Sequence, residues 1–503
     1  MTPELALILI MIIPMLAAVL IPFAGRWTTG RGANVRDGIS IVAAASLLGV
    51  VIWLVRYVGL SPDNRPELFL LEFAGTFEIK LKLEPLGAVF AAIASSLWLV
   101  NTIFTIGYMR GNKEKKQTRF YTCVAIAIAA VMGIASSANL ITLFVFYEIL
   151  TLSTFPLVTH KGDAKAKKGG RVYLLILMAT SLGLLLPAII GTHVLAGTTD
   201  FQVGGIFPPG FSTFAASVLL FLFAFGIGKA ALMPIHPWLP NAMVAPTPVS
   251  ALLHAVAVVK AGVFTMLKVT VYIFGPDLMG ETPASTVLVW IAALSILLAS
   301  VIALRKDNLK ARLAYSTISQ LAYITLGAML ATSFAIVGGG LQIIMHAWGK
   351  ITLFMCAGAI YTVVHRTEIS SFNGLGRSMP WVFGAFFVGS LSIIGVPPMG
   401  GSWPKFFLMM GALDAGQKAI LWVLILSSLL NVAYLIPVAA RGFLLKPDNP
   451  RSDAQIAAQL KKHRFVRFAP VFTAAGAFAL FFAIGPLVEY LKPILPAHMT
   501  GGL

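Results

Sequence analysis

Seven residues of this chain occupy positions where an ionisable side chain is expensive. In "LFVFYEILTLSTFP" (143–156), Glu148 is the single acid of an apolar run long enough to cross a membrane. A charge at the bilayer centre costs about 3 kcal/mol or more unless it is paired, neutralised or in contact with water. Lys229 lies in "FAFGIGKAALMPIHPWLP", and His254 with Lys260 in "SALLHAVAVVKAGVF". His346 and Lys350 lie in "IIMHAWGKITLF", and Lys405 ends "SIIGVPPMGGSWPK". An ammonium out of water holds its proton less tightly, a nearby carboxylate restores the hold, and imidazole titrates near neutrality. Movement of Glu148 towards or away from Lys229 would therefore set when that lysine lets its proton go. One glutamate, four lysines and two histidines at membrane depth read as a proton relay. A metal site would need more carboxylates or thiolates. A sugar or amino-acid site would need more aromatic and amide groups. Neither a cofactor nor a metal is expected, and Tyr147, Tyr315 and Tyr323 read as packing residues. His346 and Lys350 are four apart and share a helix face. His254 and Lys260 are six apart, so a water or a helix distortion must join them.

The elements that position these groups are membrane spans. The chain has 503 residues, 58% hydrophobic and 11% charged, where a soluble protein carries about 25% charged residues. Runs of about 20 apolar residues fall near 3–23, 38–58, 84–108, 119–136, 138–158, 171–194, 212–234, 243–273, 284–304, 312–332, 338–363, 379–411, 418–445 and 465–491. The reading is an all-α polytopic membrane protein of about fourteen transmembrane helices. The net charge of +18 could suggest nucleic acid, but its distribution excludes it. Odd-numbered loops carry the bases, among them Arg110, Lys161, Lys165, Lys306, Lys310, Arg366 and Arg441, whereas even-numbered loops are poor in base. One missed or invented span would scramble that alternation. It implies multiple passes through a bacterial inner membrane, with both termini outside. The apolar N-terminus lacks a basic leader region and a small-residue cleavage site, so it reads as a retained first helix. Cys123 and Cys356 are too isolated for a disulfide framework or an iron–sulfur site. Residues 67–84 alternate like a β-hairpin on the outer face, and 452–465 reads as a short amphipathic helix on the inner surface, capped by Ser452 or Asp453.

Spans 7 and 12 are expected to be broken. Gly226, Gly228, Pro234 and Pro237 surround Lys229, and Pro397 and Pro398 precede Lys405. Proline removes a backbone donor and clashes with the preceding turn. Irregular backbone at membrane depth survives only inside protein or beside water. Two interrupted spans, one in each half, point to an inverted repeat with ion sites. The spacing makes spans 4–8 and 9–13 two inverted five-helix repeats. The divisions are then 1–118 (helices 1–3 with the hairpin), 119–273 (first repeat), 284–445 (second repeat) and 446–503 (amphipathic segment and helix 14).

The segments "FYEILTLSTFPLV", "GKAALMPIHPWLPNAMVAPTPVSALLHAVAVVKAGVF", "YSTISQLAYI", "HAWGKITLF" and "GVPPMGGSWPKF" resemble the proton-conducting antiporter-like subunit family. That family includes the D and A subunits of Mrp-type cation/proton antiporters, the antiporter-like subunits of respiratory complex I and membrane-bound hydrogenase subunits. The resemblance covers nearly the whole chain. It implies a Glu148–Lys229 pair, a path through Lys260 and His254, then His346 and Lys350, and a terminal Lys405. The Lys at 405 and the chain's length resemble the Mrp D subunit most. The resemblance thus implies a non-enzymatic transporter subunit, working with other membrane subunits that supply the sodium site of a monovalent cation/proton antiporter. The alternatives are a proton-pumping subunit of complex I or a hydrogenase, and a proton-coupled membrane subunit of an inorganic-carbon uptake complex.

Overall fold

The computed structural model describes residues 1–503 except 27–30, 62–64, 74–76, 448–452 and 503. Among the described residues, twelve helices are long and apolar enough to cross a membrane. Two shorter apolar helices, Thr213–Gly226 and Pro380–Ile394, stand where spans 7 and 12 are expected. The expected count of fourteen is therefore not reached by full-length helices: among the described residues twelve qualify, and the two spans expected to be broken fall short of spanning length. We label α1 (Pro3–Arg26), α2 (Arg31–Leu60), the hairpin β1 (Glu67–Phe73) and β2 (Phe77–Lys82), α3 (Pro85–Gly111), α4 (Gln117–Ala135), α5 (Leu140–Val158), α6 (Ala164–Ala196) and α7 (Thr213–Gly226). Then follow α8 (Thr247–Ala255), α9 (Val258–Val269), α10 (Pro283–Leu304), α11 (Leu309–Leu330) and α12 (Ser333–Val364). The chain closes with α13 (Pro380–Ile394), α14 (Ser402–Asp414), α15 (Lys418–Leu444), α16 (Asp453–Lys462) and α17 (Arg464–Ala479).

Helix starts are set by side chains that take up orphan amides. Asn139 accepts from Thr142 N–H at 2.7 Å, Asp163 from Ala166 at 2.6 Å and Asn308 from Ala311 at 3.1 Å. The hairpin forms as expected, antiparallel from Glu67↔Lys82 to Phe73↔Phe77, with an irregularity between Phe69 and Leu71. The amphipathic helix also forms, as α16, with Leu460 buried. Its expected cap at Ser452 lies outside the described residues.

Loops of like parity meet. On one side of the bundle, Leu81 bridges to Ser137, Asn139 to Asp200, and Asp277 approaches His498 at 3.2 Å, joining loops 2, 4, 6 and 8 with the C-terminal segment. On the other side, Arg110 pairs with Asp37, Asn308 bridges to Glu368, and the Gly374 amide donates to the Arg441 carbonyl at 3.1 Å. An error of one span would have sent such partners to opposite faces.

The segment Thr247–Phe274 is wholly buried, and α11 and α12 are 94% buried in their most apolar windows. In α1, α2, α6, α15 and the last span the share is 39% or less, and large side chains such as Val194, Trp422 and Leu429 face outwards. Without water, an outward apolar face is satisfied by lipid, so polar groups are held on faces turned into the protein, and the central helices offer the most such surface. Those central helices carry His254, Lys260, His346 and Lys350.

Candidate functional site

The seventh span breaks at Ile227, where α7 gives way to the single 3-10 turn Gly228–Ala230. Close approach explains the glycines. A Cβ on Gly226 would lie 2.5 Å from the Leu185 backbone nitrogen, in the π-helical turn Ser181–Leu185 of α6. From the other side, a Cβ on Gly262 of α9 would lie 2.3 Å from Lys229 C and Ala230 N. The break exposes backbone groups, and protein takes them up. Trp238 Nε1 donates to the Gly228 carbonyl at 3.0 Å, and Met233 N–H to Ser295 Oγ at 3.2 Å. Pro234 and Pro237 lie in the non-helical stretch that follows.

Lys229 is thereby aimed at α5. Its Nζ donates to the Tyr147 carbonyl at 2.9 Å and to Thr151 Oγ1 at 2.7 Å, and lies 3.1 Å from the centre of the Tyr147 ring. The Lys229 amide donates to the Tyr147 hydroxyl at 3.2 Å. Tyr147, expected to be mere packing, is therefore the main partner of Lys229. Glu148 is next to it in sequence, yet its two carboxylate oxygens are buried with no hydrogen-bond partner, and no ion pair joins it to Lys229. The anticipated contact is thus open in this conformation, with Tyr147 and Thr151 in its place.

An interruption that the sequence did not advertise divides the eighth span. Helix α8 ends at Ala255 and α9 begins at Val258, and the Ala257 amide reaches back to the Leu252 carbonyl at 2.9 Å. The helix is thus distorted between His254 and Lys260, but no hydrogen bond joins the two. Lys260 Nζ lies 2.8 Å from His346 Nδ1, bridging α9 to α12. His254 is fully buried against Phe354, with neither ring nitrogen bonded. One turn along α12, Lys350 Nζ donates to Ser316 Oγ at 2.7 Å, and the Tyr434 hydroxyl lies 2.9 Å from the same oxygen.

The twelfth span breaks between α13 and α14, around Pro397 and Pro398. Lys405 folds back across the gap. Its Nζ donates to the Ile394 carbonyl, at the end of α13, at 2.7 Å and to Ser428 Oγ at 3.0 Å. A cation at the C-terminus of a helix meets the negative end of its dipole. Gly395, at φ 86, has a conformation open to glycine, and a Cβ there would lie 2.7 Å from Lys405 Cδ.

Residues 137–431 match the family model described as "NADH:quinone oxidoreductase/Mrp antiporter, TM". The chain belongs to this family. Among curated relatives, it is 29% identical over 456 residues to NADH-quinone oxidoreductase subunit N of Desulforudis audaxviator, covering 89% of this chain and 88% of that one. It is 28% identical over 436 residues to NAD(P)H-quinone oxidoreductase chain 5 of Picosynechococcus sp., covering 82% of this chain and 64% of that longer protein. In fold it is similar to a chain of the Mrp complex from Dietzia sp., with TM-score 0.83, 21% identity and coverage of 100% and 98%. It is likewise similar to a chain of an archaeal membrane-bound sulfane sulfur reductase, with TM-score 0.76, 20% identity and coverage of 98% and 99%.

This member of the family holds one further fully buried lysine, and one half-buried, that sequence reading assigned to no relay. Lys268, at the far end of α9, is fully buried beside Glu84. Lys310, counted as a loop base, donates to the Ala245 carbonyl and lines a cavity of about 640 Å³ with Lys161, Lys165 and Glu368. The signal for Lys268 was its place inside an apolar run. Its nearness to the run's end hid it.

Proposed function

We propose that this chain carries protons through the membrane as the D-like subunit of a multisubunit Mrp-type Na+/H+ antiporter. Protons would move along Glu148, Lys229, Lys260, His254, His346, Lys350 and Lys405. The observation that carries this reading is the set of buried ammonium groups, each held by neutral oxygens or an imidazole, that runs from the break at Lys229 through the Lys260–His346 contact to the break at Lys405. Neutral partners leave each lysine free to alternate between its charged and uncharged forms, whereas a tight carboxylate would hold the proton in place. Inverted repeats over 119–273 and 284–445 would make Lys229 and Lys405 counterparts. The bases of the odd-numbered loops support a reading with that face in the cytoplasm and both termini outside. Other membrane subunits would supply the sodium site and complete the complex. End-to-end likeness to a chain of an Mrp complex supports the assignment.

In the assembled complex, Glu148→Gln should abolish most cation-driven proton flux in vesicles. Near-normal flux would remove Glu148 from the switch. A second reading, a proton-pumping subunit of a redox complex, draws on the full-length likeness to an NADH-quinone oxidoreductase subunit. Flavin or iron–sulfur proteins in the purified complex would decide for it, and small hydrophobic subunits alone for the antiporter.

A further inference from the structure

A second ionic site lies on the even-loop face, away from the chain of groups described above. Glu84 caps α3: its Oε2 accepts from the Leu86 amide at 2.8 Å and from the Tyr272 hydroxyl at 2.8 Å. Its Oε1 lies 3.1 Å from Nζ of Lys268. The Lys268 side chain has no exposed surface and donates to the Ser137 carbonyl at 2.7 Å, with the Phe201 ring 4.4 Å away. A cavity of about 470 Å³ reaches both Glu84 and Lys268. Its wall includes the half-exposed Lys82 and the exposed Gln202, so it leads from that face to the ion pair.

A buried ion pair does little more than offset its own desolvation, so stability is a weak account of this one. Its position offers another. Lys268 lies eight residues beyond Lys260 on the same helix, about 12 Å along the axis and about 80° around it. Phe264 occupies the turn between them, fully buried, with its ring 4.8 Å from that of Phe90.

We propose that this cavity is the port through which protons pass between the relay and the water on the even-loop face, with Lys268 and Glu84 at its inner end and Phe264 as the apolar plug. The proposal rests on the proton-relay reading. Lys268 as ammonium gives a proton to the Glu84 carboxylate, leaving an amine and a carboxylic acid. The acid then releases that proton to water in the cavity. The amine takes the next proton from Lys260 by way of water admitted when the Phe264 ring turns.

The test uses the assembled complex in vesicles. Lys268→Arg preserves the ion pair but not the release of a proton, because a guanidinium stays charged, and flux should fall about tenfold or more. A structural pair would be rescued by arginine, so normal flux in this variant overturns the port. Independently, Gln202→Cys is treated with a charged, membrane-impermeant thiol reagent; the native Cys356 is buried and Cys123 is replaced by serine. Modification from the even-loop face should cut flux several-fold, and unchanged flux overturns the port even if Lys268→Arg fails to assemble. Lys260→Ala is measured alongside. If it conducts normally, the relay reading itself falls. If it is inactive while both port variants conduct normally, the relay stands and the port falls.

Discussion

Lys260 Nζ and His346 Nδ1 lie 2.8 Å apart, linking α9 to α12 through residues 86 positions apart in the chain. Two full positive charges at that separation in a fully buried site would repel strongly, so the pair carries at most one charge at a time and titrates as a unit. Groups that act as a unit lose function together. Lys260→Met and His346→Ala should each reduce proton flux by about tenfold or more, and the double variant should be no slower than the worse single one by more than about twofold. Flux in vesicles containing the complex checks this. Multiplicative losses would mean that the two residues act separately.

Thr151 tests the unexpected lodging of Lys229. Its Oγ1 is the shorter of the two hydrogen bonds that the ammonium makes. Thr151→Val keeps the shape and removes the acceptor, a loss of about 1.5 kcal/mol for a bond to a charged group. Proton transfer through Lys229 should change by about tenfold, and the pH profile of flux should move. Loss of protein from the membrane fraction, with flux per complex unchanged, would instead indicate a purely structural contact.

Gly262 tests the packing of the seventh-span break. Its missing Cβ would sit 2.3 Å from backbone atoms of Lys229 and Ala230, which cannot rotate away. Gly262→Ala should lower stability by about 2 kcal/mol or more, visible as a reduced thermal midpoint in detergent. Gly49→Ala, on an exposed face of α2 with nothing within 4 Å, should match or exceed the parent protein.

His160 gives a pH dependence outside the spans. Burial, and after it the Arg119 guanidinium, lowers its pKa from 6.5 to about 4. The folded state therefore favours the neutral ring. That contribution is complete above pH 6.5, declines as pH falls through the interval to about 4, and levels off below it. His160→Phe should flatten the thermal midpoint over that interval in the solubilised protein. An acid limb unchanged from the parent would show that other groups set it.

Long apolar runs, separated by loops of alternating charge, made the spans readable in the sequence, because lipid enforces both length and composition. The broken spans were readable for a related reason. Pro397, Pro398, Pro234 and Pro237 act on their own backbone, so their effect needs no partner. The break at Val256–Ala257 carried no such mark: "HAVAVVK" has neither proline nor glycine. It lies in a segment that is buried throughout.

The isolated ionisable groups were likewise visible as exceptions in apolar sequence: residue type and context marked Lys229, His254, Lys260, His346, Lys350 and Lys405, all of them buried. What each one touches was decided only in three dimensions. Lys229 turns to Tyr147 and Thr151 instead of Glu148, and Lys268 is enclosed because Glu84 is brought to it from 184 positions away. The cost of an isolated charge in lipid is a property of a residue and its neighbours in sequence, so it can be read along the chain. The contacts that relieve that cost come from distant helices, and only their packing selects among the available donors and acceptors.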